Sequence, residues 1–152
     1  DRYGPGKRRA ARASQERAPQ FWMGPDDRKT IWSFDDRFAY GNYVGMYRTN
    51  GDNIRQDRLS PEMIGPEAGF ADPTTALDAG GLWHDRALAG SEWGLETAFY
   101  DGVLFYRALA APLDGRSGVL PSLTVAGGMA VAQYMHVWKS IQNTFTPDPN
   151  PQ

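Results

Sequence analysis

The sequence predicts a mostly α-helical chain with extended segments: a single transmembrane helix, an amphipathic helix before it, and a long irregular N-terminal arm rich in aromatics and proline. Three observations predict this. About 22 consecutive residues, Ser117 to Trp138, contain no Asp, Glu, Lys or Arg, although charges recur every few residues elsewhere. Between Ser91 and Ala111 apolar residues return at three- and four-residue steps. Glycine and proline, 17 and 11 in the whole chain, punctuate the first half too heavily for long helices.

The charge-free stretch predicts a helix over 117–140. At 22 residues it would be roughly 33 Å long, close to the thickness of a bilayer's hydrocarbon core. Arg116 and Lys139 close it and, with Arg107 ahead of it, are placed to reach lipid headgroups. Tyr134 and Trp138 fall near its second end, where amphipathic rings favour the membrane interface. Small residues lie at four-residue spacing, Ser122, Ala126 and Ala130 on one line and Thr124, Gly128 and Ala132 on another. Such lines let a second helix approach closely in lipid. Gly127-Gly128 would cost about 1 kcal/mol per glycine in a water-exposed helix, a penalty easier to absorb against lipid and packed neighbours. The competing reading is the central helix of a soluble domain, since Ser117, Ser122, Thr124, Gln133 and His136 dilute the stretch. A mean hydropathy of -0.56 fits one short span on a long polar arm. No second hydrophobic stretch is long enough for a polytopic transporter.

Residues 1–20 form a basic arm: Arg2, Lys7, Arg8, Arg9, Arg12 and Arg17 are opposed only by Asp1 and Glu16. Its Arg-rich, acid-poor character resembles what remains beside a cleaved organellar presequence. Residues 21–90 read as an extended, partner-wrapping region with short helices, one of them from about Asp26 to Tyr40. Aromatics gather there without a sustained period, which makes Trp22, Trp32, Phe34 and Tyr43, with Trp138 further on, interface anchors. From 48 to 81 the turn dipeptides Asn50-Gly51, Ser60-Pro61, Gly65-Pro66, Asp72-Pro73 and Gly80-Gly81 predict a loop that draws its burial from partners. The amphipathic helix occupies 91–112, with Ser91 as N-cap and Pro112 as stop. A polar, proline-rich tail fills 141–152.

Chemistry is sparse. There is no cysteine, hence no disulfide or thiolate. Sixteen basic against 18 acidic side chains give a net charge of -2 and no bulk signal for nucleic acid. Of the two histidines, His136 reads as an interfacial polar group, and His84 lacks a second histidine or cysteine at ligand spacing. Phosphate-binding, dinucleotide and nucleophile-elbow patterns are absent from the sequence. The repeated Asp-Asp-Arg, at 26–28 and 35–37, carries its own arginine each time, which favours local ion pairs over a bound cation. Neither catalysis, cofactor nor metal is expected.

One further pattern is the order Phe105-Tyr106-Arg107-Ala108, the turn Asp114-Gly115-Arg116-Ser117-Gly118, an apolar run from Val119 through Ala132, then Tyr134-Met135-His136-Val137-Trp138. It resembles subunit f of the mitochondrial ATP synthase membrane region, over under a third of the chain. The resemblance implies a single-pass, non-catalytic subunit of the mitochondrial inner membrane near the peripheral-stalk base and proton-conducting subunit a. Its amino-terminal part would lie on the matrix side, and residues 1–90 would be a lineage-specific extension. The expected function is an accessory or scaffold subunit of the Fo region, supporting assembly and proton-driven ATP synthesis. Its expected partners are other subunits of the complex and membrane lipids such as cardiolipin. The alternatives are an accessory subunit of a respiratory chain complex and a soluble adaptor.

Overall fold

The computed structural model describes residues 39–45, 48–91 and 94–146. The first regular element is a minimal hairpin, β1 (Arg48–Thr49) paired antiparallel with β2 (Asp52–Asn53). Asn50 and Gly51 both take positive φ, 57° and 77°, as the tightest hairpin turn requires. The Asn50 side chain then donates to Met63 O at 2.9 Å and accepts from Gly65 N at 2.8 Å. One turn residue thereby anchors the short 3₁₀ turns Pro61–Met63 and Pro66–Ala68.

Three helices follow. In α1 (Ala76–Ala89), Thr75 caps the start by accepting from Asp78 N at 3.3 Å. Next, α2 (Leu95–Ala110) gives way to a 3₁₀ turn, Ala111–Asp114, where Pro112 cannot continue the ladder. The longest, α3 (Val119–Phe145), has 27 residues and is about 40 Å long. Trp83 meets Tyr100 edge to face and Gly80 faces Leu104, so α1 and α2 run antiparallel. Gly102 faces Gln133 and Gly94 faces Ser140, so α2 and α3 do too. With α1 and α3 on its two flanks, α2 is the middle helix.

The core joins the loop to all three helices: Tyr40, Val44, Leu77, Ala108, Ala111 and Ala126, with Phe105 and Val125 packed against them. Close approach is arranged by glycine. A Cβ on Gly81 would meet Val44 Cγ2 at 2.5 Å and Tyr43 O at 2.8 Å, so inside α1 Gly81 is a docking site for the 39–45 loop, while Gly80 faces Leu104 of α2. The pair is not the expected turn.

No helix of the described residues is long and apolar enough to cross a membrane. This corrects the expected fold, a single transmembrane helix over 117–140, and the expected location as a single-pass protein of the mitochondrial inner membrane. Length is not the obstacle, since α3 has 27 residues. Apolarity is: Ser122, Thr124, Gln133 and His136 dilute it, and α3 spends polar groups on α2. Gln133 Nε2 donates to Ala98 O at 3.1 Å, and His136 bonds Asp101.

The helix expected over 91–112 is found as α2. Its N-cap is Gly94, while the Ser91 hydroxyl donates to Leu88 O at 3.1 Å behind the end of α1. The turn-rich stretch 48–81 packs on the chain's own α1: Arg86 Nε donates to Ile64 O at 3.0 Å and its Nη2 to Glu67 Oε2 at 2.9 Å. The basic arm, Trp22, Trp32, Phe34, both Asp-Asp-Arg repeats, and all but the last two residues of the expected 26–40 helix lie outside the described residues.

Candidate functional site: a His-Asp-His junction and two apolar helix faces

Asp101 sits on the middle helix with 1% of its surface exposed. From one flank His84 Nε2 lies 2.8 Å from its Oδ1; from the other, His136 Nδ1 lies 2.5 Å from its Oδ2. An ionised Asp101 accepts from both rings, which fixes the donating nitrogen of each imidazole. A buried carboxylate needs such donors, because desolvation without them costs several kcal/mol. The three side chains clamp the three helices in one register.

Two further acids are buried on α1. Asp78 accepts the backbone N–H groups of Asn42, Tyr43 and Thr74 at 2.9 to 3.1 Å, holding the 41–43 loop. Burial nevertheless pushes its pKa up to about 6, against those N–H groups. Asp85 is pushed well above the usual carboxylate range by burial; the Thr49 hydroxyl, donating at 2.9 Å, pulls it back and the charge of Asp78 raises it further. Exposed Asp114 behaves oppositely. What burial it has raises its pKa, but the N–H groups of Ser117, Arg116 and Ala76 outweigh this and leave it lowered. It ties the α2–α3 turn to the first turn of α1.

Can the junction do chemistry? Ser140 follows His136 by one turn, and a hydroxyl beside a carboxylate-oriented imidazole has the parts of a nucleophile-base-orienter chain. The Ser140 hydroxyl, however, is buried with no hydrogen-bond partner. The cavity lined by Gly94, His136, Lys139, Ser140 and Asn143 holds about 40 Å³, room for water where ligand pockets run to about 300–1,000 Å³. Among the described residues no group of three or more His, Cys, Asp or Glu could hold a metal ion. The junction is built as a lock.

The residues singled out by sequence are divided by the fold. Of the small-residue lines, Ser122 and Ala126 are buried, Thr124 and Ala132 half-buried, and Gly128 and Ala130 exposed. Tyr43 is 1% exposed and donates to Ala71 O, so its ring lies within the chain's own core. Trp138 is 52% exposed. Arg107 stacks over the Trp83 ring at 4.6 Å, while Arg116 and Lys139 are exposed. Sequence reasoning missed Asp101, the residue at the centre. Its signal was an acid on the same side of α2 as Ala98, Leu104 and Ala108, three residues past Ala98 and three before Leu104.

Outside the junction, large apolar side chains stand uncovered. On α2 they are Leu95, Phe99, Tyr106 and Leu109, one line of the helix, with Leu113 beyond its end at 89% exposed. On α3 they include Val131, Tyr134, Trp138 and Phe145. No protein-family model matches the chain, nor does any curated protein or solved structure.

Proposed function

We propose that the chain is a non-catalytic accessory or scaffold subunit of a larger protein assembly, docked through the apolar line on α2. The observation that supports this most is that line itself: Leu95, Phe99 and Tyr106 are 65% to 71% exposed beside a buried carboxylate lock. Contiguous exposed apolar surface of this kind marks interaction sites. The lock keeps the helices in register, so the surface is preorganised and little ordering entropy opposes docking. The likeness to subunit f retains its Phe105–Ala108 segment and its 114–118 turn while losing its span. It makes the Fo region of mitochondrial ATP synthase the first assembly to test, with the chain seated on protein subunits.

The test is affinity purification of the full tagged chain from its native source, followed by native-gel separation and mass spectrometry. Co-migration with a large complex is expected. Phe99→Glu combined with Tyr106→Glu should abolish co-migration while the helical circular dichroism and thermal midpoint stay unchanged. A wild-type chain that migrates without any larger complex would overturn the reading.

A further inference from the structure

The exposed face of α3 carries a second pattern, independent of the α2 line. Leu120, Gly127, Tyr134 and Ile141 recur at seven-residue intervals, and so do Thr124, Val131, Trp138 and Phe145. Interleaved, the two rows make the alternating three- and four-residue spacing of a coiled-coil seam. All are exposed except half-buried Thr124, whereas the opposite face of α3 is spent on α2. The seam is complete and lies open along the whole helix.

We propose that this seam is the interface of an antiparallel, two-fold symmetric dimer between two copies of the chain. Three observations carry the choice of occupant. The first is volume. Aligned antiparallel over the full length of α3, the seam brings Phe145 to Leu120 of the other copy, Ile141 to Thr124, Trp138 to Gly127 and Tyr134 to Val131. The bulky half of one helix faces the small half of the other. A Cβ built on Gly127 meets nothing within 4 Å, so the space an indole needs is open. A parallel pair would instead stack Trp138 on Trp138 and leave a void between two glycines.

The second is area. Leu120, Leu123, Val131, Tyr134, Met135, Trp138, Ile141 and Phe145 are 42% to 81% exposed. At roughly 150–250 Å² for a large side chain this sums to about 800 Å², one partner's share of a standard stable interface. The third is charge. Within α3 Lys139 is the sole charged residue, one position off the seam, so two copies meet without like charges in contact. The seven-residue period further implies a left-handed crossing.

The chain's lack of cysteine makes the register directly testable. Thr124→Cys and Ile141→Cys are made as separate full-length chains and oxidised alone and mixed. The expected result is a disulfide-linked dimer from the mixture and little from either alone, because only the antiparallel register brings position 124 to 141. Homotypic linkage of each variant alone would show a parallel arrangement and overturn the proposal. Sedimentation of the wild type at micromolar concentration should give twice the chain mass, and Tyr134→Glu should return it to one chain mass with its helical signal intact. A wild-type monomer would overturn the dimer. Both readouts use purified protein, so they stand or fall apart from the co-migration test of the α2 line.

Discussion

His136 Nδ1 lies 2.5 Å from Asp101 Oδ2 across 35 residues of chain, and this contact turns a charge-free stretch into a helix that packs on its own protein. Replacing Asp101 by Ala removes the acceptor from two imidazoles at once. Hydrogen bonds to charged groups are worth about 1.5–3 kcal/mol each, so a loss of roughly 3 kcal/mol or more in urea unfolding is expected. Asp101→Asn, which keeps one acceptor oxygen, should lose about half as much.

Gly41 sits at φ 60°, and a Cβ there would collide with the Asp78 carboxyl group. Gly41→Ala is expected to cost at least about 2 kcal/mol, combining backbone strain with displacement of the carboxylate that holds the loop. Gly115 is the control: its φ is 72°, but an added Cβ meets nothing within 4 Å. Gly115→Ala should cost only about 1 kcal/mol in the same unfolding measurement.

Stability should rise as pH falls from about 7 toward 4. The folded-state pKa of Asp78 is raised to about 6 from 3.8, and that of Asp85 is raised as well. A raised folded pKa means that the folded state binds the proton more tightly. The stabilisation is therefore complete below the unfolded value and is lost as pH climbs through the folded one, amounting to about 3 kcal/mol for Asp78. Urea midpoints across this range test it, and Asp85→Asn, which stays neutral and can still accept from Thr49, should flatten the slope. Below about pH 4 the lowered pKa of Asp114 works the other way.

Two glycine substitutions separate the open and the packed faces of the α2–α3 pair. Nothing lies within 4 Å of a Cβ added at Gly128, so Gly128→Ala should gain about 1 kcal/mol of helix propensity. Gly102 faces the Gln133 amide, and Gly102→Ala must push that side chain off Ala98 O, lowering the thermal midpoint.

Leu123 is 56% exposed on the single chain, so in the monomeric Tyr134→Glu background Leu123→Arg is expected to change unfolding stability by less than about 0.5 kcal/mol. A larger loss would show that this side chain is buried in the isolated chain.

What the sequence determined by itself was local. The period of α2, the stop at Pro112, the Asn50-Gly51 turn and the helical character of the charge-free stretch follow from residue spacing, proline geometry and glycine's access to positive φ, all of which act within a few residues. Gly80-Gly81 misled because a local rule makes a glycine pair a turn, while here both lie inside a helix, Gly81 packed under the distant Tyr43-Val44 loop and Gly80 against Leu104 of α2. Ser117–Trp138 misled because absence of charge measures hydropathy only coarsely. Whether this stretch crosses lipid or packs on its own protein depends on where Gln133 and His136 find partners, and those lie 35 residues away. Tertiary structure alone decided that Asp101 would gather His84 and His136, since its desolvation must be compensated wherever donors can reach it. That requirement, set by burial, turned two histidines without a local pattern into the lock of the fold.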